Sequence, residues 1–259
     1  MIIPLTISAA AVTATLLYAS WRDVRERRVP FRTWYPMLAI GLPASVFFYT
    51  ALVSAGDWQL AAALLGLAAL CASAFYLFAV LHLFGGADAW ALIFLAACIP
   101  LFPIEPWAGY PPTVFFPFSV LVNALLLNLL APAGIFAFNL WKGNRAPIPY
   151  MFMGFPVEGS TIRDSFGFVM EEITEDGGVI SRRFIGIRNS LAATIRGDRK
   201  RYTRELAAHP EEYKSELDLY SRAGKIWISW GVPFMVPITA GVLTALFAGD
   251  ILYALLRLI

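Results

Sequence analysis

Two carboxylates in this 259-residue chain stand where reactivity would be expected. Asp88 closes the run Gly85-Gly86-Ala87-Asp88 at the mouth of an apolar stretch, and Asp23 follows another apolar stretch, inside Trp21–Thr33. An acid at a membrane helix centre costs roughly 2.5–3.5 kcal/mol, and less near the interface, so one without a task is rare. Two carboxylates facing each other across a water-accessible cleft do not both ionise easily and share a proton. One then serves as base toward a water, while the other is the acid toward a carbonyl or a leaving amine. That is the chemistry of aspartic proteolysis, and it needs neither a metal nor a nucleophilic Ser or Cys. Gly85 and Gly86 break the helix pattern before Asp88 and let a substrate backbone come close to it.

No rival catalytic set is present: there is no G-x-S-x-G, H-E-x-x-H or P-loop pattern. The two histidines are His82 and His209; His82 falls near the Asp88 run and fits interfacial packing. Cys71 and Cys98 lie in apolar runs with no C-x-x-C spacing or His beside them, so they read as packing residues and no metal or other cofactor is expected. Asp250 reads as a helix-end acid, and Asn123, Asn128 and Asn139 as groups that hydrogen-bond between helices.

The elements that must position the acids are membrane helices. With 59% hydrophobic and 15% charged residues, the chain is far from the roughly 25% charge of soluble domains, and nothing in it points to a nucleic acid. Apolar runs predict six spans: Ile2–Ser20, Trp34–Ala55, Trp58–Leu83, Gly86–Phe102, Thr113–Trp141 and Ile226–Leu256. The first lacks a basic start and a small-residue cleavage site and reads as a retained span. The expected fold is mostly α, a polytopic membrane protein with six transmembrane helices and a small α+β cytoplasmic insertion before the last. Its parts are residues 1–141 with both aspartates, the polar subdomain 142–225, and 226–259.

Five arginines lie in Trp21–Thr33 and fourteen basic residues between Lys142 and Lys225, with Arg257 the only other one. Both basic segments belong on one side, which the positive-inside rule makes the cytoplasm. This parity requires the weak fourth span to cross, and it puts Asp23 and Asp88 at one membrane depth although they are 65 residues apart. Within the polar region, Phe166–Thr174 and Val179–Ile187 flank Glu175-Asp176-Gly177-Gly178 as a hairpin. Pro210–Ala223 reads as a helix with Tyr213, Leu217 and Tyr220 on one face and Gly224 just past its end.

Asp23 with Arg25, Arg27, Arg28, Val29 and Pro30 resembles the first catalytic aspartate region of type IV prepilin peptidases, and Gly85-Gly86-Ala87-Asp88 resembles their GxGD motif. Gly231 to Thr239 is similar to the final span of the archaeal preflagellin peptidase branch. The chain departs from the pattern at Ala87, which stands where the motif has its second glycine, and it lacks the tetracysteine module of many bacterial members. The resemblance implies a membrane aspartyl protease with Asp23 and Asp88 as its catalytic pair. It would cut the short basic leader from a preflagellin or pilin-like precursor at the cytoplasmic face of the bilayer. Glu171, Glu172, Glu175 and Asp176, or Glu211, Glu212, Glu216 and Asp218, are candidates to attract such a leader. The alternative is a proton- or cation-coupled transporter using the same acids. The oligomeric state is left open by the sequence.

Overall fold

The computed structural model describes residues 2–81, 84–186, 202–231 and 233–257. It divides into two compact units, Met1–Leu129 with Pro233–Ile259, and Leu130–Val232.

The first unit is helical. It contains α1 (Ile2–Glu26), a 3-10 turn (Phe31–Trp34), α2 (Tyr35–Ser54), α3 (Trp58–Val80), α4 (Gly86–Cys98) and α5 (Phe116–Asn128). After the second unit the chain returns as α10 (Met235–Phe247) and α11 (Ile251–Leu256). Among the described residues four stretches are long and apolar enough to cross a bilayer: Ile3–Glu26, Phe31–Ser54, Trp58–Val80 and Phe116–Lys142. Two shorter apolar helices, α4 and α10, have 13 residues each. At about 1.5 Å per residue they fall well short of a hydrocarbon core of about 30 Å.

These two short helices are the most enclosed. On α4, Ala91, Leu95 and Cys98 have no exposed surface, nor on α10 do Met235, Ile238, Val242 and Ala245. By contrast α3 leaves Leu65, Leu70, Tyr76 and Leu77 more than half exposed. A helix whose sides meet lipid must match the bilayer, whereas one surrounded by protein need not. Small residues permit the close approach. A Cβ on Gly41 of α2 would lie 2.7 Å from Cys98 Sγ, and one on Gly241 of α10 would lie 2.6 Å from the Val120 carbonyl oxygen of α5. The Ser8 hydroxyl donates to the Cys98 carbonyl at 2.7 Å, tying α1 to α4. Buried Asn123 donates to the Gly249 carbonyl and accepts from the Ile251 N–H, both at 2.9 Å, so it clamps the turn between α10 and α11. Asp250 caps α11 by accepting from the Tyr253 N–H at 2.9 Å.

The second unit is a small α+β assembly: α6 (Ala131–Lys142), α7 (Ile148–Met151), β1 (Gly154–Glu158), a 3-10 segment (Gly159–Asp164), β2 (Glu171–Asp176), β3 (Val179–Phe184), α8 (Thr203–Ala208), α9 (Lys214–Ala223) and β4 (Lys225–Ser229). Strands β2 and β3 form the expected hairpin around Gly177 and Gly178, both with positive φ, as a tight two-residue turn needs. The hairpin is shorter than the sequence reading, because Phe168–Met170 turns away to hydrogen-bond with β4: the Met170 N–H donates to Trp227 O at 2.9 Å and the Ser229 N–H to Phe168 O at 2.8 Å. Helix α9 begins at Lys214, four residues after the expected start, since Pro210–Tyr213 form a turn closed on the His209 carbonyl. Tyr213, Leu217 and Tyr220 do pack together, in a core with Ile162, Val169, Leu206, Ile226 and Ile228. Buried Asn139 donates to the carbonyls of Met151 and Gly154 at 2.9 and 2.7 Å within this unit.

Two expected boundaries move. Helix α1 runs through Glu26, so Asp23 lies inside it and not beyond its end. The expected span Ile226–Leu256 does not start as a helix: Lys225–Ser229 is a strand paired antiparallel with β1, from Gly154↔Ser229 to Glu158↔Lys225. A short apolar run reads alike as a buried strand or a helix segment, and here the tertiary pairing selects the strand.

Candidate active site

Leu16, Ser20 and Asp23 recur on α1 at intervals of four and three residues and therefore share a face, the one turned to α10. The Ser20 hydroxyl donates to the Met235 carbonyl at 2.9 Å and lies 2.7 Å from the Thr239 hydroxyl. Thr239 Oγ1 is in turn 3.1 Å from the Leu16 carbonyl and 2.9 Å from that of Met235. In an apolar bundle such a hydroxyl–carbonyl cluster joins two helices more specifically than packing does. One turn further along α1, the Asp23 carboxylate meets the backbone N–H of Met235 and lies within electrostatic range of Arg27. Met235 opens α10, which has no side-chain cap of its own. The first N–H groups of a helix lack partners and carry its positive dipole end, so an anion is well placed there.

Asp88 lies in the first turn of α4, whose N-cap is Gly85. The helix starts with the Ala89 N–H donating to the Gly85 carbonyl at 3.0 Å. The Asp88 carboxylate folds back over Gly85: a Cβ there would stand 2.5 Å from Asp88 Oδ2. Gly85 therefore supplies room and not an unusual backbone angle, its φ being −62°. A Cβ on Gly86 would meet nothing within 4 Å. Ala87 is already helical and packs against the apolar core, so its methyl group does not alter a loop.

Asp23 and Asp88 are close enough for the charge of one to act on the other. Their elements converge as well. Phe84, just before α4, and Phe234, just before α10, meet edge to face with ring centroids 5.2 Å apart, which sets the two helix N-termini side by side. The chain after α1 is held to α4 through Phe31, whose ring lies 5.4 Å from Trp90 and 6.0 Å from Phe94.

The other sequence candidates fall differently. His82 lies outside the described residues. Of the acids proposed to attract a leader, Glu171 is buried and paired with Arg182 at 2.5 Å. Glu175 is held by both arms of Arg222 at 2.5 and 2.7 Å, and Asp218 by the same guanidinium at 3.1 Å. Asp176, Glu211 and Glu212 are solvent-exposed. Among the described residues no group of three or more His, Cys, Asp or Glu side chains is placed to hold a metal ion. Sequence reasoning missed Ser20, Phe84 and the Met235 N–H. The available signals were the Ser20–Asp23 spacing of three and the polar Thr239 in an apolar run.

Residues 10–138 match the family model described as the type IV leader peptidase family. Residues 146–251 match the one described as the archaeal peptidase A24 C-terminus, type II. The chain belongs to the type IV leader peptidase (A24) family. Comparison with curated proteins gives no match. As a member, this A24 peptidase is an aspartic, multi-pass membrane leader peptidase that acts on type IV prepilin-like precursors, and the transporter alternative gives way. Both aspartates and the glycine run lie in the part matched by the family's own model, and Met235 and Thr239 lie in the part matched by the C-terminal one.

Proposed function

We propose that Asp23 and Asp88 are the catalytic pair of this leader peptidase and that its substrate is a preflagellin or a type IV pilin-like precursor. The observation that carries the reading is the approach of the two carboxylates at the adjoining N-termini of α4 and α10. One carboxylate takes a proton from water as the oxygen attacks the scissile carbonyl carbon. The other, protonated, stabilises the developing oxyanion and then passes its proton to the leaving amine. The products are a leader ending in a carboxylate and a mature chain beginning with a free amine. Gly85 leaves Asp88 its position, and the open space over Gly86 admits the substrate backbone.

The six-span arrangement combines the four long apolar stretches with the short, protein-enclosed α4 and α10. The basic residues after Asp23 and around residues 142–225 favour a cytoplasmic active site. There the basic leader of a precursor stays in water while its apolar helix enters the bundle. Incubating the solubilised enzyme with a precursor tests the assignment. Asp23→Asn and Asp88→Asn should each reduce leader removal by more than about a thousandfold, with the fold retained by circular dichroism. Full processing by either variant would reject the pair.

A further inference from the structure

A second face of α1 carries a different set of groups. Ala11, Thr15, Tyr18 and Arg22 recur at helical spacing, roughly 100° around the helix from the Asp23 face. They line a groove of about 770 Å³ against α2 and the segment before it. This volume suits a small-molecule ligand or a lipid segment. Arg22 and Arg32 stand at one end of the groove, and Ala14 and Ile40 line its apolar part.

Two observations point to a ligand. First, the side chains of Thr15 and Thr33 line the groove although these residues are only 6% and 7% exposed, which aims two hydroxyl-bearing side chains at it. Second, Arg22 Nε is buried without a hydrogen-bond partner, although the same guanidinium pairs with Glu26 through another nitrogen. Arg32 has no ion pair among the described residues. Guanidinium donors and the Thr33 hydroxyl at one end, with a largely apolar trough leading away between two membrane-length helices, complement an anionic headgroup attached to a hydrocarbon chain. A precursor's basic leader carries the wrong charge for this end of the groove.

We infer that the α1–α2 groove binds one membrane lipid through its phosphate headgroup, held by Arg22, Arg32 and Thr33, with its chain along Thr15, Ala14 and Ile40. The bound lipid braces the end of α1 that carries Asp23, on a different face from the α10 contact.

Native mass spectrometry of the full-length protein, released from micelles containing equal phosphatidylglycerol and phosphatidylcholine, tests this. One phosphatidylglycerol should be retained in preference to phosphatidylcholine, and Arg32→Gln should reduce that retention about fivefold. Ala14→Phe, at an exposed position, should displace the lipid without altering charge. Equal retention of the two lipids, or retention unchanged in both variants, would overturn the inference. So would displacement of the lipid by millimolar glycerol phosphate, which would show a site for free phosphate esters. A photo-crosslinker at Ile40 that captures the precursor in place of lipid would assign the groove to substrate and overturn it equally.

Discussion

In the inserted unit Glu175 lies in the fork of Arg222 and Glu171 against Arg182, while in the membrane unit Asp23 and Asp88 face a helix N-terminus and one another. The first two acids have their lone pairs taken by arginines, and their role is to hold β2 to the segments around it. The other two lie within electrostatic range of one another, Asp23 against the backbone N–H of Met235. Both units are acidic in places, but the proposed catalytic pair lies in only one of them. The proposal that the acids of residues 171–176 or 211–218 attract a leader is correspondingly narrowed to those other than Glu171, Glu175 and Asp218, which arginines hold.

The comparison is broken most directly at the dyad: combining Asp23→Asn with Asp88→Asn should impair cleavage no more than either change alone, because the two act as a unit. Next come the glycines. Gly85→Ala should lower kcat about 10- to 100-fold by displacing the Asp88 carboxylate, whereas Gly86→Ala should stay within about threefold in a single-turnover assay. An equal effect at both would show that backbone freedom, and not room for Asp88, explains the run. Removing the α1–α10 cluster with Ser20→Ala and Thr239→Val should reduce kcat roughly three- to tenfold at constant KM and lower the melting temperature, since each membrane hydrogen bond of this kind is worth about 0.6 kcal/mol.

In the inserted unit the effects should fall on stability alone. Glu171→Gln removes one partner of a largely buried pair and should destabilise by about 1–3 kcal/mol in denaturant titrations, leaving KM for the precursor unchanged. The smallest effect belongs to Arg222. Its guanidinium holds the Glu175 carboxyl below the ordinary glutamate value of 4.5, so the pair contributes above that pH and the contribution fades as pH falls below it. Arg222→Gln should therefore lower the melting temperature slightly at neutral pH, and the gap from the parent should close in acid.

Local sequence carried much of this. The placement of Asp23 and Asp88 at the ends of apolar runs, the glycines before Asp88, the turn at Gly177-Gly178 and the shared face of Tyr213, Leu217 and Tyr220 are all readable because each depends on residues a few positions apart. Hydropathy also found the long spans. It failed at Ile226–Ser229, where the pairing partner of the strand lies some seventy residues back in β1. It gave no hint that two short apolar helices, α4 and α10, would be among the most buried of the bundle.

By itself the sequence determined which groups are available for chemistry: two acids, a glycine run that admits a close neighbour, and spans to carry them. Only the tertiary structure decided that Asp23 would lie within α1 facing the N-terminus of α10, that Asp88 would fold back over Gly85, and that Glu171 and Glu175 would be claimed by arginines. The reason is physical. Residue type and helical spacing are properties of neighbours along the chain, whereas burial, charge proximity and the meeting of two helix ends depend on contacts between distant residues, such as Ser20 and Met235, 215 positions apart.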